Sequence, residues 1–129
     1  MSSRRSIDLP GLSHGDNPIP AGSRIGPLFM SGGIAGKEQH TGKLAADAEA
    51  QCAAMFDNAR RLVESAGGTT EQIVKMTIWV KDRGVRDSIN REWLKMFPDP
   101  ASRPVRHVLL YADLPGAMHM QCDLTAYIE

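Results

Sequence analysis

Between residues 44 and 66 the side chains of Cys52, Met55, Phe56, Ala59, Leu62, Val63 and Ala66 recur every three to four positions, the spacing that gathers them on one side of an α-helix. The pattern predicts an amphipathic helix from about Leu44 to Ala66, closed by Gly67 and Gly68, because glycine adopts the left-handed backbone that ends a helix. The period then changes. Val74, Met76, Ile78 and Val80 alternate with Lys75, Thr77 and Trp79, as in a strand with two unlike faces. Helical spacing returns at Val85, Ile89, Trp93, Met96 and Phe97, and Pro98 with Pro100 stops it. After Pro104, "VRHVLLYAD" and "AMHMQCDLTAYI" read as two strands joined through Leu114-Pro115-Gly116. In the second of these, Met118, Met120, Cys122, Leu124, Ala126 and Ile128 share one face, and His119, Gln121, Asp123, Thr125 and Tyr127 the other.

The N-terminal stretch "LPGLSHGDNPIPAGSRIGP" reads as extended chain broken by turns, since each proline disfavours helix at the residue before it. Leu28-Phe29-Met30 then forms a short strand that enters a tight turn at Ser31-Gly32-Gly33. The sum is one α+β domain over residues 1–129: a single mixed β-sheet with two α-helices packed on one face. Its other face is half polar, so it meets either water or another subunit.

Fifteen Lys and Arg balance fifteen Asp and Glu, which leaves no net field to attract nucleic acid or an acidic membrane. The opening Met-Ser-Ser-Arg-Arg is followed by no apolar core of a signal peptide, and no apolar run approaches membrane-spanning length, so a soluble, cytoplasmic protein is expected. Cys52 and Cys122 form no C-x-x-C pair, and His14, His40, His107 and His119 are scattered, so no metal and no cofactor is expected. The closing strands raise a question of their own. Arg106 and Gln121 fall where a buried strand would carry apolar side chains.

Several short pieces carry a resemblance: "SGG" after a strand, "GKL" before the long helix, "AGGTTEQIVKMTIWVKD", "IN" in the second helix, and "RPVRHV" followed by "LPG". In this order and spacing, from about Arg24 to Ile128, they resemble the Rid/YjgF superfamily, the reactive intermediate deaminases also labelled endoribonuclease L-PSP. The resemblance implies a chorismate-mutase-like fold and a homotrimer whose sheets face inward as a barrel, with ligand clefts between subunits. It also implies that an arginine in a Pro-x-Arg segment clamps the carboxylate of a small enamine or imine, which is hydrolysed to ammonia and a 2-keto acid. Pro104-Val105-Arg106 matches that segment. Ser31 and Gly32 match a Ser-Gly that offers a hydroxyl and backbone N–H groups to the ligand, and Asn90 matches an asparagine that reaches the neighbouring site.

Two positions depart from that pattern. Family members commonly place a glutamate fifteen residues after the arginine, and here that position is Gln121. An amide can orient water or ligand but cannot shuttle a proton near neutral pH. Asp123 projects from the same strand face and substitutes only if the cleft extends that far. Where a Gly-Pro-Tyr closes the cleft in deaminase members, this chain has Asn17-Pro18-Ile19-Pro20, which presents Ile19 to a differently shaped or more apolar ligand.

Plainer roles stand beside these. Arg106 fits an interface ion pair with Asp123 or with a neighbouring subunit, Gln121 a satisfied interface amide, Asn90 a helix-surface polar group and Ser31-Gly32 a simple turn. His107, on the face opposite Arg106, is expected to pack toward the helices. The function expected is deamination of small 2-imino or 2-enamino acids, with a non-catalytic trimeric binder of small carboxylate metabolites as the alternative. Ribonuclease action is disfavoured by neutral charge, sparse aromatics and the lack of paired histidines.

Overall fold

The computed structural model describes residues 3–12 and 14–129. Strands β1 (Arg5–Ile7), β2 (Gly22–Ile25), β3 (Leu28–Ser31), β4 (Ile34–Ala35), β5 (Ile73–Val80), β6 (Val105–Leu110) and β7 (Met120–Tyr127) and helices α1 (Ala48–Ser65) and α2 (Arg86–Met96) make one α+β layer pair. The sheet has the order β1-β2-β3-β7-β5-β6, and β4 also pairs with β7. Among the described residues only β5 and β6 run parallel, and α2 is the crossover that parallel neighbours require. Both helices cover the same face. Phe29, Ile34, Met55, Phe56, Leu62, Met76, Ile78, Ile89, Met120 and Leu124 fill the space between, all but sealed from solvent. Truncating an aromatic of this core such as Phe56 to alanine costs about 3–5 kcal/mol.

Helix α1 begins four residues later than its apolar period predicts. Lys37 and Leu44 form an isolated antiparallel bridge and the Ala45 N–H donates to the Gly36 carbonyl, so the chain is held extended up to Asp47. The Asp47 carboxylate then accepts from the Ala50 N–H at 2.8 Å and caps the helix. At the other end Gly67, at φ +95°, donates to Glu64 and Gly68 to Val63, which pairs the last free carbonyls.

Three further expectations are corrected. The register of β5 against β7 slips between Ile73 and Lys75, a β-bulge that buries Ile73 and turns Val74 outward. Strand β7 starts at Met120 rather than Met118. The buried Gln51 side chain of α1 holds the chain just before β7, donating to the Ala45 and Ala117 carbonyls and accepting from the His119 N–H. The N-terminal region, read only as extended chain broken by turns, holds two short paired strands at the sheet edge, β1 ahead of Leu9 and β2 at Gly22–Ile25.

Candidate functional site

Arg106 lies on β6, the outermost strand on its side, and its side chain turns toward α2. There the guanidinium lies over the Trp93 ring, 4.9 Å from its centre, and Nη2 donates to the Asn90 Oδ1 at 2.8 Å. Trp93 is fixed in turn by an edge-on contact with Phe97, ring centres 4.7 Å apart. A planar cation stacked on one side and bonded at one corner has its remaining donors aimed in a set direction. One of them, Nη1, is buried and has no hydrogen-bond partner. Burial and then the positive charge of Arg86 lower the Arg106 pKa, yet a guanidinium starts so high that it stays charged. Among the described residues no carboxylate pairs with it.

The structural ion pair with Asp123 within one chain is therefore not formed. Asp123 instead accepts from the Trp79 indole N–H at 3.4 Å on the open face of the sheet. His107 is the second correction here. Arg106 is in register with the buried Met76 and His107 with the half-buried Thr77, so Arg106 faces the helices and His107 faces out.

Gln121 belongs to the open face, in register with Trp79. Its amide lies against the backbone of the Ser31-Gly32-Gly33 turn: a Cβ on Gly33 would stand 2.8 Å from the Gln121 Oε1. This turn interrupts the sheet between β3 and β4, and the Ser31 hydroxyl fills the gap by accepting from the Leu124 N–H while donating to the Gly32 carbonyl. The Gly32 N–H is likewise engaged, with the Ala21 carbonyl. Ser31 and Gly32 thus shape the turn with the groups that the resemblance assigns to a ligand. Ile19 stands exposed on the loop before β2, and Asn90 acts on Arg106.

One residue near this turn was not singled out from the sequence. The His14 Nε2 is buried, has no hydrogen-bond partner and would lie 3.7 Å from a Cβ on Gly32. With Leu12, Gly33, Ala35, Lys37, Met118 and Gln121 it lines a cavity of about 70 Å³. The available signal was its place three residues ahead of Asn17-Pro18-Ile19-Pro20, the segment that departs from the family pattern.

The two groups of residues do not meet within one chain. Strand β5 separates β6 from β7, so Arg106 and Gln121 lie two strand spacings, about 10 Å, apart across the sheet, are offset by three register positions along it and project from opposite faces. No cluster of three or more His, Cys, Asp or Glu side chains among the described residues is placed to hold a metal ion. No helix among the described residues is long and apolar enough to cross a membrane.

The family model for endoribonuclease L-PSP matches residues 21–128, and the chain belongs to that family. This is the Rid/YjgF superfamily of the sequence reading. A 2-iminobutanoate/2-iminopropanoate deaminase of Escherichia coli K12 is 29% identical over 110 residues, covering 84% of this chain and 86% of the relative. A RutC family protein of Aquifex aeolicus is 30% identical over 115 residues, covering 84% and 91%. The YjgF gene product of E. coli superposes with a TM-score of 0.86 at 25% identity, over 97% of this chain and 99% of that one.

Proposed function

We propose that the protein is a hydrolytic deaminase of small 2-imino and 2-enamino acids, working in clefts between the copies of a homotrimer. The observation that carries this reading is Arg106, a stacked and oriented guanidinium with a buried, unpartnered Nη1 and, among the described residues, no carboxylate beside it. Such a fork grips a carboxylate through two parallel N–H donors and holds a small acid in one orientation. The named activity of the E. coli relative supplies the substrate class.

The separation of Arg106 from Gln121 supports the shared cleft. A metabolite of a few heavy atoms cannot span both sides of a sheet, so the β6 edge of one copy must meet the open face of another. That face carries Leu28, Met30, Val105, Leu109 and Tyr127, all exposed in the single chain, with Leu28 directly opposite Tyr127 and with Met30 and Val105 in one row through Thr125 and Lys75. Apolar side chains gathered in this way on a sheet mark a surface that another subunit covers. The two free, buried cysteines fit a reducing, cytoplasmic setting, and the balanced charge favours a small metabolite over nucleic acid.

The test is ammonia release from imines generated in place by an amino-acid oxidase. An excess over the spontaneous rate is expected, and none with any 2-imino acid would sink the reading. Gln121 favours one alternative, a trimeric binder of small carboxylates without turnover, because the amide transfers no proton. Binding of 2-oxobutanoate without ammonia release identifies that case.

A further inference from the structure

Hydrolysis of an imine needs a group that takes a proton from water and gives one to nitrogen, and Gln121 cannot be that group. We propose that His14 is the proton-transfer residue of the site, acting through Nε2 on water and on the substrate nitrogen held above Gly32 and Gly33. The inference rests on the deaminase reading and adds to it a catalytic residue from the N-terminal loop.

Four observations converge on it. The Nε2 is buried without a partner, and among the described residues the other buried side-chain polar atom in that state is the Nη1 of the proposed clamp. It lies over the Ser31-Gly32-Gly33 turn, which carries no side chain at Gly32 or Gly33 to cover it. His14 and Gln121 line the same cavity, so the ring and the amide border one space. The loop is also anchored on both sides: Leu12 is buried, the His14 carbonyl accepts from the Asn17 N–H, and the Ala21 N–H donates to the Asp8 carboxylate. An imidazole gives and takes protons near neutrality, as an amide does not.

The step balances as follows. Water oxygen bonds to C2 of the iminium carboxylate as one water proton passes to Nε2, and the C=N π pair moves to nitrogen. The imidazolium then returns that proton to the amine. The C–N bond breaks with its electron pair leaving as ammonia, the hydroxyl oxygen forms the carbonyl, and its proton is taken up by the ammonia. The products are the 2-keto acid and ammonium. Gln121 orients the water and Arg106 of a neighbouring copy holds the carboxylate. Lys37 lines the same cavity, Asp123 lies two residues along β7 on the Gln121 face, and the Asp8 carboxylate accepts from the Ala21 N–H at the far end of the loop.

The experiment follows 2-iminopropanoate, made from alanine by an amino-acid oxidase, between about pH 5.5 and 8. It compares wild type with His14→Gln and His14→Ala, alongside calorimetric titration with 2-oxobutanoate and the mass of the assembly. The wild-type rate is expected to rise from the acid side with a single limb. In the variants it is expected to fall by about 100-fold or more and lose that limb, while 2-oxobutanoate binds within about threefold of wild type. An active wild type whose variants keep both rate and limb overturns the role of His14 and leaves the deaminase reading standing. A wild type that binds 2-oxobutanoate but releases no ammonia overturns both. If neither variant assembles, the wild-type profile decides, and a rate flat across this range overturns the proposal.

Discussion

The β6 edge and the open face by β4 are built on opposite plans. At the edge a permanent charge is fixed by an aromatic ring and an amide: Arg106 is stacked on Trp93 and bonded to Asn90, and its protonation does not change under any physiological condition. On the open face the polar groups are neutral or titratable and lean on bare backbone: Gln121 over Gly33 and His14 over Gly32. One region suits holding an anion, the other moving protons and water. A small acid with a reactive C=N bond presents these two needs a few ångströms apart, and neither region meets both.

Removing the clamp should have the largest effect. Arg106→Met is expected to lower kcat/KM for 2-iminopropanoate by about 10³-fold, since a hydrogen-bonded charge pair is lost at a site that excludes water. Arg106→Lys should recover little of it, because one ammonium cannot reproduce the two-pronged grip. A lysine variant with near-normal kcat/KM would show that the edge supplies charge alone.

The division of labour between copies can be tested by mixing. Gly33→Val should be inactive, as its side chain would displace the Gln121 amide. Unfolding and refolding Arg106→Met with Gly33→Val in equal amounts then places an intact edge against an intact face in about one cleft in four. Activity of roughly a quarter of wild type is expected from two inactive parents. None at all, with mixed assemblies confirmed by mass, would mean that one chain supplies the whole site.

A smaller effect separates orientation from charge. Asn90→Ala leaves the Arg106 cation but removes the hydrogen bond that aims it, worth about 1 kcal/mol, so KM should rise roughly fivefold with kcat little changed. A change in kcat with KM constant would place Asn90 at the reacting atoms instead.

Most of the fold was legible because burial on one face writes a period into the chain. The stripe from Cys52 to Ala66 and the alternation from Met120 to Ile128 both survive in the structure as drawn. What misled the reading were local events with no period: a one-residue bulge at Val74, a bridge that keeps Leu44 extended, and short edge strands in a proline-rich stretch. The site was half legible. Arg106 could be picked out by its segment, but its direction could not, because β6 is an edge strand whose two faces are both partly open, and alternation there does not say which side faces the helices. His14 was illegible for a related reason. The residues it stands near, Gly32 and Gln121, come from distant parts of the sequence, and only the loop's fold brings the ring toward them.

The smallest effect concerns the strand that joins the two faces. Cys122 sits between Gln121 and Asp123 with its thiol turned inward toward Cys52, and both thiols are held protonated, Cys52 up to about 12 and Cys122 higher, chiefly by burial. The open-face side chains that flank Cys122 should therefore rest on a layer that does not titrate with them. In the unfolded chain these thiols ionise near pH 8.5, so the unfolded state sheds protons first and stability falls as pH rises through that value. The loss should be absent at pH 7 and reach about 0.8 kcal/mol per thiol at pH 9. Denaturant melts of wild type and Cys52→Ala/Cys122→Ala, each referenced to its own stability at pH 7, check this. The double variant should keep its stability between pH 7 and 9 better than wild type, whereas equal losses would mean that other groups govern the alkaline limb.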